Sequence, residues 1–339
     1  MKVRFIDFGK QYRKYKDEID RSIFKCLNEG QLILRDDVEE LEKNLAKFVG
    51  TKYAVALNSG TDALYLALWA KGIGKGDEVL VPAHTFVATA QVVNQLGATP
   101  VLYDLNGFLT INENTRAIIP AHIAGEFSPN FETTLELAKN RKLFVIEDAC
   151  QALGATLDGK MAGSFGLAGA FSFYPAKILG GIGDGGALVT NDESTYNKVK
   201  ELRNHCKGDT KNWGINSRLD NVNAAVLNVK LKYLPQVLER RKEIAERYLN
   251  ELDGFVGLPH NTEGRVWQDF IVKTYKRDKL FDFLKEKGIE TMKNEYPMPI
   301  KKMPHAEDYE RLTLRIPNSD ILEDEEVSYV IKQIQKFKK

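Results

Sequence analysis

Three cysteines, five histidines and a formal charge of only +1 are what this 339-residue chain has little of. Cys26, Cys150 and Cys206 are odd in number and far apart, which argues against a disulfide framework and for a reducing compartment. His84, His122, His205, His260 and His305 form no close metal-type pair, so no metal site is expected. With 48 Lys and Arg against 47 Asp and Glu, no global field draws the chain to nucleic acid or to a membrane surface. The most basic cluster, Arg240-Arg-Lys242, falls within a helical period and reads as a solvated face. No apolar run is long enough to span a bilayer, and Met1-Lys-Val-Arg-Phe-Ile-Asp7 lacks the apolar core of a secretory signal. The expectation is a cytoplasmic protein with no nucleic-acid or membrane partner.

What is present belongs to an ordinary globular chain, 43% hydrophobic and 28% charged, with a length that suggests two domains. Tyr12, Tyr15, Ile19, Ile23 and Leu27 recur at three-to-four spacing, which predicts one amphipathic helix over 10–29 ending at Gly30, and a second covers about 37–48. Short apolar runs at Tyr53–Leu57, Glu78–Val81, Thr99–Tyr103, Ala117–Pro120, Leu143–Ile146, Ala170–Tyr174 and Ala187–Thr190 read as strands. Helical patterns from Ser59, from Val87 and over 131–140 alternate with them, the pattern of a parallel sheet covered on both faces. Helices follow over 193–206, 218–232 and 236–252, then a strand at Gln268–Thr274 and helices at 278–287 and 323–337. The division expected is a large domain over 1–235 and a smaller α+β domain over 236–339.

The chain is organised around Phe171-Ser-Phe-Tyr-Pro-Ala-Lys-Ile-Leu-Gly-Gly-Ile-Gly-Asp-Gly-Gly186. Its one lysine, Lys177, sits between an aromatic strand-like run and a glycine cluster, so its stem should lie against apolar material. Desolvation lowers the pKa of an amine, and an uncharged amine attacks a carbonyl to form a Schiff base. Taken alone, the stretch reads more simply as a loop lysine that snorkels to water. The cluster also satisfies G-x-G-x-x-G, but the strand-like Ala187-Leu-Val-Thr190 follows it where a dinucleotide site needs a helix. That reading is rejected.

Elsewhere, Ser59-Gly-Thr-Asp62 opens a helix: Gly60 permits a tight turn, Ser59 caps it, and Asp62 is placed as the acid of a capping box. The N–H groups of Gly60, Thr61 and Asp62 would then face an anion, although an ordinary cap is the commoner meaning of such a turn. Asp148 follows Phe144-Val-Ile146 at the carboxyl end of a strand, where open α/β sheets bind ligands. Arg218, near a helix start, suits either an anionic substrate group or a surface ion pair with Asp220.

Asn58-Ser-Gly-Thr-Asp62, Glu147-Asp-Ala-Cys-Gln151, Ser172 to Lys177 and Asn216-Ser-Arg-Leu-Asp220, in that order, resemble the sugar aminotransferases of the DegT/DnrJ/EryC1/StrS group. These are pyridoxal-phosphate enzymes of fold type I. The resemblance runs from Phe5 to roughly Pro317 and is thin beyond Leu258. It implies a large domain with a mostly parallel sheet between helices and a smaller α+β C-terminal domain. It implies pyridoxal 5'-phosphate held on Lys177 as an internal aldimine. The phosphate would lie on the turn at Gly60, Thr61 and Asp62, with Ser172 also touching it and Asn216 coming from a neighbouring subunit. Asp148 would face the ring nitrogen, Gln151 the phenolic oxygen and Phe86 the ring face.

The implied activity moves an amino group from an amino acid, glutamate in most of the group, to a nucleotide-linked keto-sugar. The wording after Lys177 resembles members that aminate C3 of a 3-keto hexose, and Arg218, Glu295 and Tyr296 fall where substrate is contacted. The implied assembly is a homodimer with a shared active site. Several positions depart from the group: Arg35 for a glycine, Glu295-Tyr-Pro297 for His-Tyr-Pro, Asn223 for a glutamine and Ala124 for a tyrosine, all bearing on substrate. Amination at C4, another pyridoxal reaction on the same scaffold, or a non-catalytic regulator that keeps the fold are the alternatives.

Overall fold

Apolar runs of four or five residues can be sheltered only inside a sheet covered on both sides, and here such runs supply the centre of the molecule. The computed structural model describes residues 1–105, 109–301 and 303–337. Helices α1 (Phe8–Lys14), α2 (Lys16–Glu29) and α3 (Asp36–Val49) lead into β1 (Tyr53–Leu57), α4 (Gly60–Ala70), β2 (Glu78–Pro82), α5 (Ala88–Gln95) and β3 (Thr99–Tyr103). Then come β4 (Thr115–Ile118), α6 (Phe131–Arg141), β5 (Phe144–Asp148), a small hairpin of β6 (Thr156–Leu157) and β7 (Lys160–Met161), β8 (Ala168–Ser172) and β9 (Gly186–Thr190). The remainder is α7 (Glu193–Leu202), α8 (Asn221–Lys232), α9 (Leu234–Glu251), β10 (Phe270–Lys273), α10 (Arg277–Glu286), β11 (Met292–Lys293), α11 (Pro304–Leu312), β12 (Thr313–Ile316) and α12 (Asp324–Lys336).

The seven-stranded sheet has the order β1-β9-β8-β5-β4-β2-β3. It is parallel except at β9, which runs antiparallel to both β1 and β8. The reason is local. Residues 173–185, which carry Lys177, contain no helix, and a strand can return parallel to its predecessor only through a long crossover. Because β9 reverses twice, the carboxyl ends of β1, β2, β4, β5 and β8 share one edge of the sheet. One face is covered by α4, α5 and α7 around Val55, Leu64, Leu68 and Val81, the other by α3 and α8 around Leu41, Leu45, Phe171 and Leu227. Helix α4 is apolar nearly all round and buried at Leu64, Leu66 and Leu68, as befits a helix between the sheet and its neighbours.

A second core gathers Tyr248, Trp267, Phe270, Leu284, Leu314 and Val330 around the three-stranded sheet β10-β12-β11. Val3 joins it, bridging to Ile289 and fully buried, so the start of the chain is tied to this core.

Three sequence expectations need correction. The helix over 10–29 is two helices broken at Tyr15, whose ring stacks on Tyr233 instead of continuing the turn. The helix over 193–206 stops at Leu202, because His205 and Cys206 take left-handed φ values of 62° and 51°. The helix over 218–232 begins at Asn221, with Ser217 to Asp220 extended or bridging before it. Strands β11 and β12 and helix α11 were not expected.

Candidate active site

At the shared edge, the turns after β1, β2, β4, β5 and β8 converge on a cavity of about 650 Å3. Ser59, Gly60, Thr61, Phe86, Asp148, Gln151, Ser172, Lys177, Glu295 and Tyr296 all line it. Nine of these ten were singled out as candidate site residues from sequence, Ser59 only as a cap. A second groove, about 580 Å3, crosses Phe255, Tyr275 and Phe337 and holds none of the residues so marked.

The amine-bearing loop is held from several sides. The Lys177 N–H donates to the Tyr174 carbonyl at 2.8 Å. Gln268, at the entry to β10, accepts from the Ile178 N–H at 2.9 Å and donates to the Ala176 carbonyl at 3.1 Å, clamping the backbone on both sides of Lys177. Buried Lys230 of α8 donates to the Gly180 carbonyl at 2.5 Å and to Gln11 of α1 at 3.2 Å. Lys177 itself is half-buried in the cavity wall.

Opposite it, helix α4 points its N-terminus into the cavity. Ser59 caps it by accepting from the Asp62 N–H at 3.0 Å, leaving the N–H groups of Gly60 and Thr61 at the open end of the helix. The expected capping box is only half formed. The Asp62 carboxylate takes the Ser217 hydroxyl at 2.6 Å instead of the Ser59 backbone and is not among the residues that line the cavity. A Cβ at Gly60 would lie 2.5 Å from the Cys150 sulfur and 3.2 Å from the Ser172 Cβ, so the turn, the cysteine and the serine are in close contact. The Cys150 thiol, open to the cavity on one side, is pushed well above its ordinary range by desolvation; Asp148 pushes the same way and Lys177 opposes.

Asp148 is 8% exposed and ends β5. One carboxylate oxygen accepts from the Thr89 hydroxyl at 2.7 Å, the other from the Cys150 N–H at 3.3 Å. Its neighbour Glu147 faces the other way, as alternation along a strand requires. It accepts from the N–H groups of Gly163, Phe165 and Gly166 at 2.7 to 2.8 Å and from His122 at 3.2 Å. Because His122 Nδ1 accepts from the Ser128 N–H, its proton sits on Nε2. Gln151 is oriented by the Ala124 N–H on its oxygen at 2.9 Å and donates to the Tyr296 hydroxyl at 3.2 Å. Burial raises the pKa of Tyr296 above the ordinary phenol value. Phe86 is 55% exposed and forms cavity wall.

Three expected residues lie outside the cavity. Asp62 contributes only its capped N–H. Asn216 is exposed, bridging to Asn204, and Arg218 donates to the Asn204 side chain at 3.0 Å, not to Asp220. Glu295 reaches the cavity but is neutralised by buried Arg277 at 2.8 Å. The sequence reading passed over Thr85, Thr89, Gln268 and the Asp269–Arg315 pair, the last at 3.4 Å in the cavity wall. Thr85 lies in the bend before α5 and Thr89 in its first turn, so no helical spacing announces their contact, and nothing local marks Gln268.

The arrangement fits pyridoxal phosphate on its own terms: an amine, a helix end with two N–H groups and a hydroxyl for a phosphate, a buried carboxylate, an amide and an open aromatic face around one space. Comparison with known proteins agrees. The family model for the DegT/DnrJ/EryC1/StrS aminotransferase family matches residues 13–335. A pleiotropic regulatory protein of Geobacillus stearothermophilus is 36% identical, covering 99% of each chain. The dTDP-3-amino-3,4,6-trideoxy-alpha-D-glucose transaminase of Streptomyces venezuelae is also 36% identical, over 99% of this chain and 96% of the relative. Among solved structures, S. venezuelae DesV in complex with a ketimine intermediate superposes with a TM-score of 0.93 at 36% identity, over 99% of this chain and 98% of that one. NtdA from Bacillus subtilis with bound cofactor PMP gives 0.89 at 29% identity, over 99% and 85%. The fold is therefore the type I fold of pyridoxal-phosphate aminotransferases, and the chain belongs to the DegT/DnrJ/EryC1/StrS aminotransferase family.

Proposed function

We propose that this protein is a pyridoxal-phosphate-dependent aminotransferase that moves an amino group from L-glutamate to a nucleotide-linked keto-sugar, at C3 of a 3-keto hexose. The observation that carries the reading is the enclosure of Lys177, Asp148, Gln151, Ser172 and the Gly60 turn around one cavity. When bound, the cofactor supplies an electron sink for the carbanion formed beside the transferred nitrogen. The residues divide the remaining work. The N–H groups of Gly60 and Thr61, the positive end of α4 and the Ser172 hydroxyl hold the phosphate. Asp148 would hold a proton on the ring nitrogen, Gln151 would donate to the phenolic oxygen, and Phe86 would cover one ring face. Lys177 Nζ would be the attachment point, and its free amine would serve as the base that moves a proton at the donor's α-carbon.

The C3 assignment has the support of the S. venezuelae transaminase, whose product name places the amine at C3. A shared active site is supported by Asn216 and Arg218, neither of which lines the cavity of its own chain, and by exposed Trp213 and Asn216 close together in sequence. We infer a homodimer in which Asn216 completes the phosphate site of the other subunit. The regulatory relative keeps the non-catalytic reading in play. Purified protein given cofactor, L-glutamate and a panel of nucleotide-linked 3-keto and 4-keto hexoses tests both. An amino sugar whose NMR spectrum puts nitrogen on C3 is expected and should be lost in Lys177→Ala. A product aminated at C4 would replace the C3 assignment, and no product from a cofactor-loaded protein would favour the regulator.

A further inference from the structure

Asp148 is held by a chain of two buried hydroxyls that no part of the reading above uses. Thr85 and Thr89 are both fully buried, Thr85 in the cavity wall and Thr89 behind it. Thr85 Oγ1 lies 2.9 Å from Thr89 Oγ1, and Thr89 Oγ1 lies 2.7 Å from Asp148 Oδ2. A threonine inside a helix ordinarily returns its hydroxyl proton to a carbonyl of the preceding turn. The Thr89 hydroxyl instead leaves α5 and crosses to the end of β5. The direction of the chain follows from proton counting. A hydroxyl has one proton and a carboxylate only accepts, so Thr89 spends its proton on Asp148 and Thr85 must donate to Thr89. Each bond polarises the next, and a bond onto a carboxylate is stronger than one between neutral groups.

We propose that Thr89, backed by Thr85, is a positioning residue that fixes the Asp148 carboxylate and limits its basicity, so that a pyridine ring opposite keeps its proton on the ring nitrogen. The proposal rests on the cofactor reading given above. Other groups around Asp148 cannot take this part. The Cys150 N–H is a longer contact on the other oxygen at 3.3 Å, and the Cys150 thiol donates toward the Ala170 carbonyl. Glu147 is turned away and satisfied by its own donors, with His122 beside it, and Lys177 stands across the cavity wall as the attachment point. Removing the Thr89 hydroxyl acts in one direction by either route open to it. A carboxylate short of a donor pulls the shared proton toward itself, and a carboxylate free to rotate lets go of the ring; both leave the ring nitrogen less protonated.

The test is the 15N chemical shift of the ring nitrogen in protein loaded with 15N-labelled pyridoxal phosphate. The wild type should show a protonated ring. Thr89→Val, which keeps the side-chain shape, should move the signal toward unprotonated pyridine, and Thr89→Ser should restore it. Thr85→Val leaves the Asp148 bond in place and should move the signal the same way by less; it also carries the test should Thr89→Val not fold. The value for kcat should fall in Thr89→Val with the KM for glutamate little changed. A wild-type-like shift in both valine variants of a protonated wild type overturns the role of the threonines alone. An unprotonated ring in the wild type overturns the role given to Asp148 in the cofactor reading and this inference with it, and a protein that takes up no cofactor overturns that reading itself.

Discussion

At Gly60 one missing methyl group decides whether the anion end of α4 can sit where it does. A Cβ there would stand 2.5 Å from the Cys150 sulfur, well inside contact distance, while the backbone conformation itself is open to any residue. Gly60→Ala should therefore cost about 1–3 kcal/mol of stability, the usual range for overpacking, and, on the proposed reading, weaken cofactor binding by displacing the N–H assigned to the phosphate. Equilibrium denaturation and a spectroscopic cofactor titration read the two effects. Adding Cys150→Ala removes the clashing atom and should recover most of both losses; a double variant no better than Gly60→Ala would show that the contact is not the cause.

Between elements, the loop carrying Lys177 is governed by side chains from far along the chain. Lys230 of α8 is buried against Gly180 and Gln11, and its pKa is lowered to about 8 by desolvation, with Asp320 opposing. Below pH 8 the amine is charged in both folded and unfolded chains, so the cost of burying it is present in full. Between 8 and the ordinary 10.5 the folded chain gives up the proton first, and stability gains. Relative to Lys230→Met, wild-type stability should rise across that window by up to about 3 kcal/mol. Urea unfolding at several pH values measures it, and parallel curves for the two proteins would contradict the assignment.

The same elements explain what the sequence could and could not disclose. Strands β1, β2, β5, β8 and β9 were legible because each is a short apolar run buried on both faces; that Lys177 shares a cavity with Asp148 and Gly60 was reached only through the order of the four motifs, since its own stretch reads as a loop. Neither β11, two residues long, nor β12, which is defined by pairing across more than forty residues to β10, leaves a local period to read. Gln268 was invisible for the same reason: its clamp on residues 176 and 178 spans about ninety positions. The antiparallel β9 was deducible in principle, since the segment before it is too short for a crossover helix. At the Asp62 turn the motif was right for a cap, but Ser217 lies 155 residues away and competes for the carboxylate.

For the whole molecule, the dimer proposed above would have Asn216, exposed and outside its own chain's cavity, complete the site of a second copy. Leu32, Ile33, Phe86, Tyr174, Ile182 and Trp213, on segments that flank the cavity or carry Asn216, are all exposed large hydrophobics, a surface suited to burial against a second copy. If sites are shared, Lys177→Ala and Asn216→Ala proteins should each be inactive or nearly so, yet regain activity when unfolded together and refolded as a mixture. Hybrids then hold one intact site. No recovery in a mixture shown by mass to contain hybrids would mean that each chain supplies its own phosphate contacts. The central claim, that Lys177 is the covalent anchor of a pyridoxal cofactor, has a more direct test. The protein is incubated with pyridoxal phosphate, reduced with borohydride, digested and mapped by mass spectrometry. A phosphopyridoxyl group on Lys177, absent when glutamate is added before reduction, is the predicted result; a label distributed over surface lysines, with Lys177 unmodified, would contradict it.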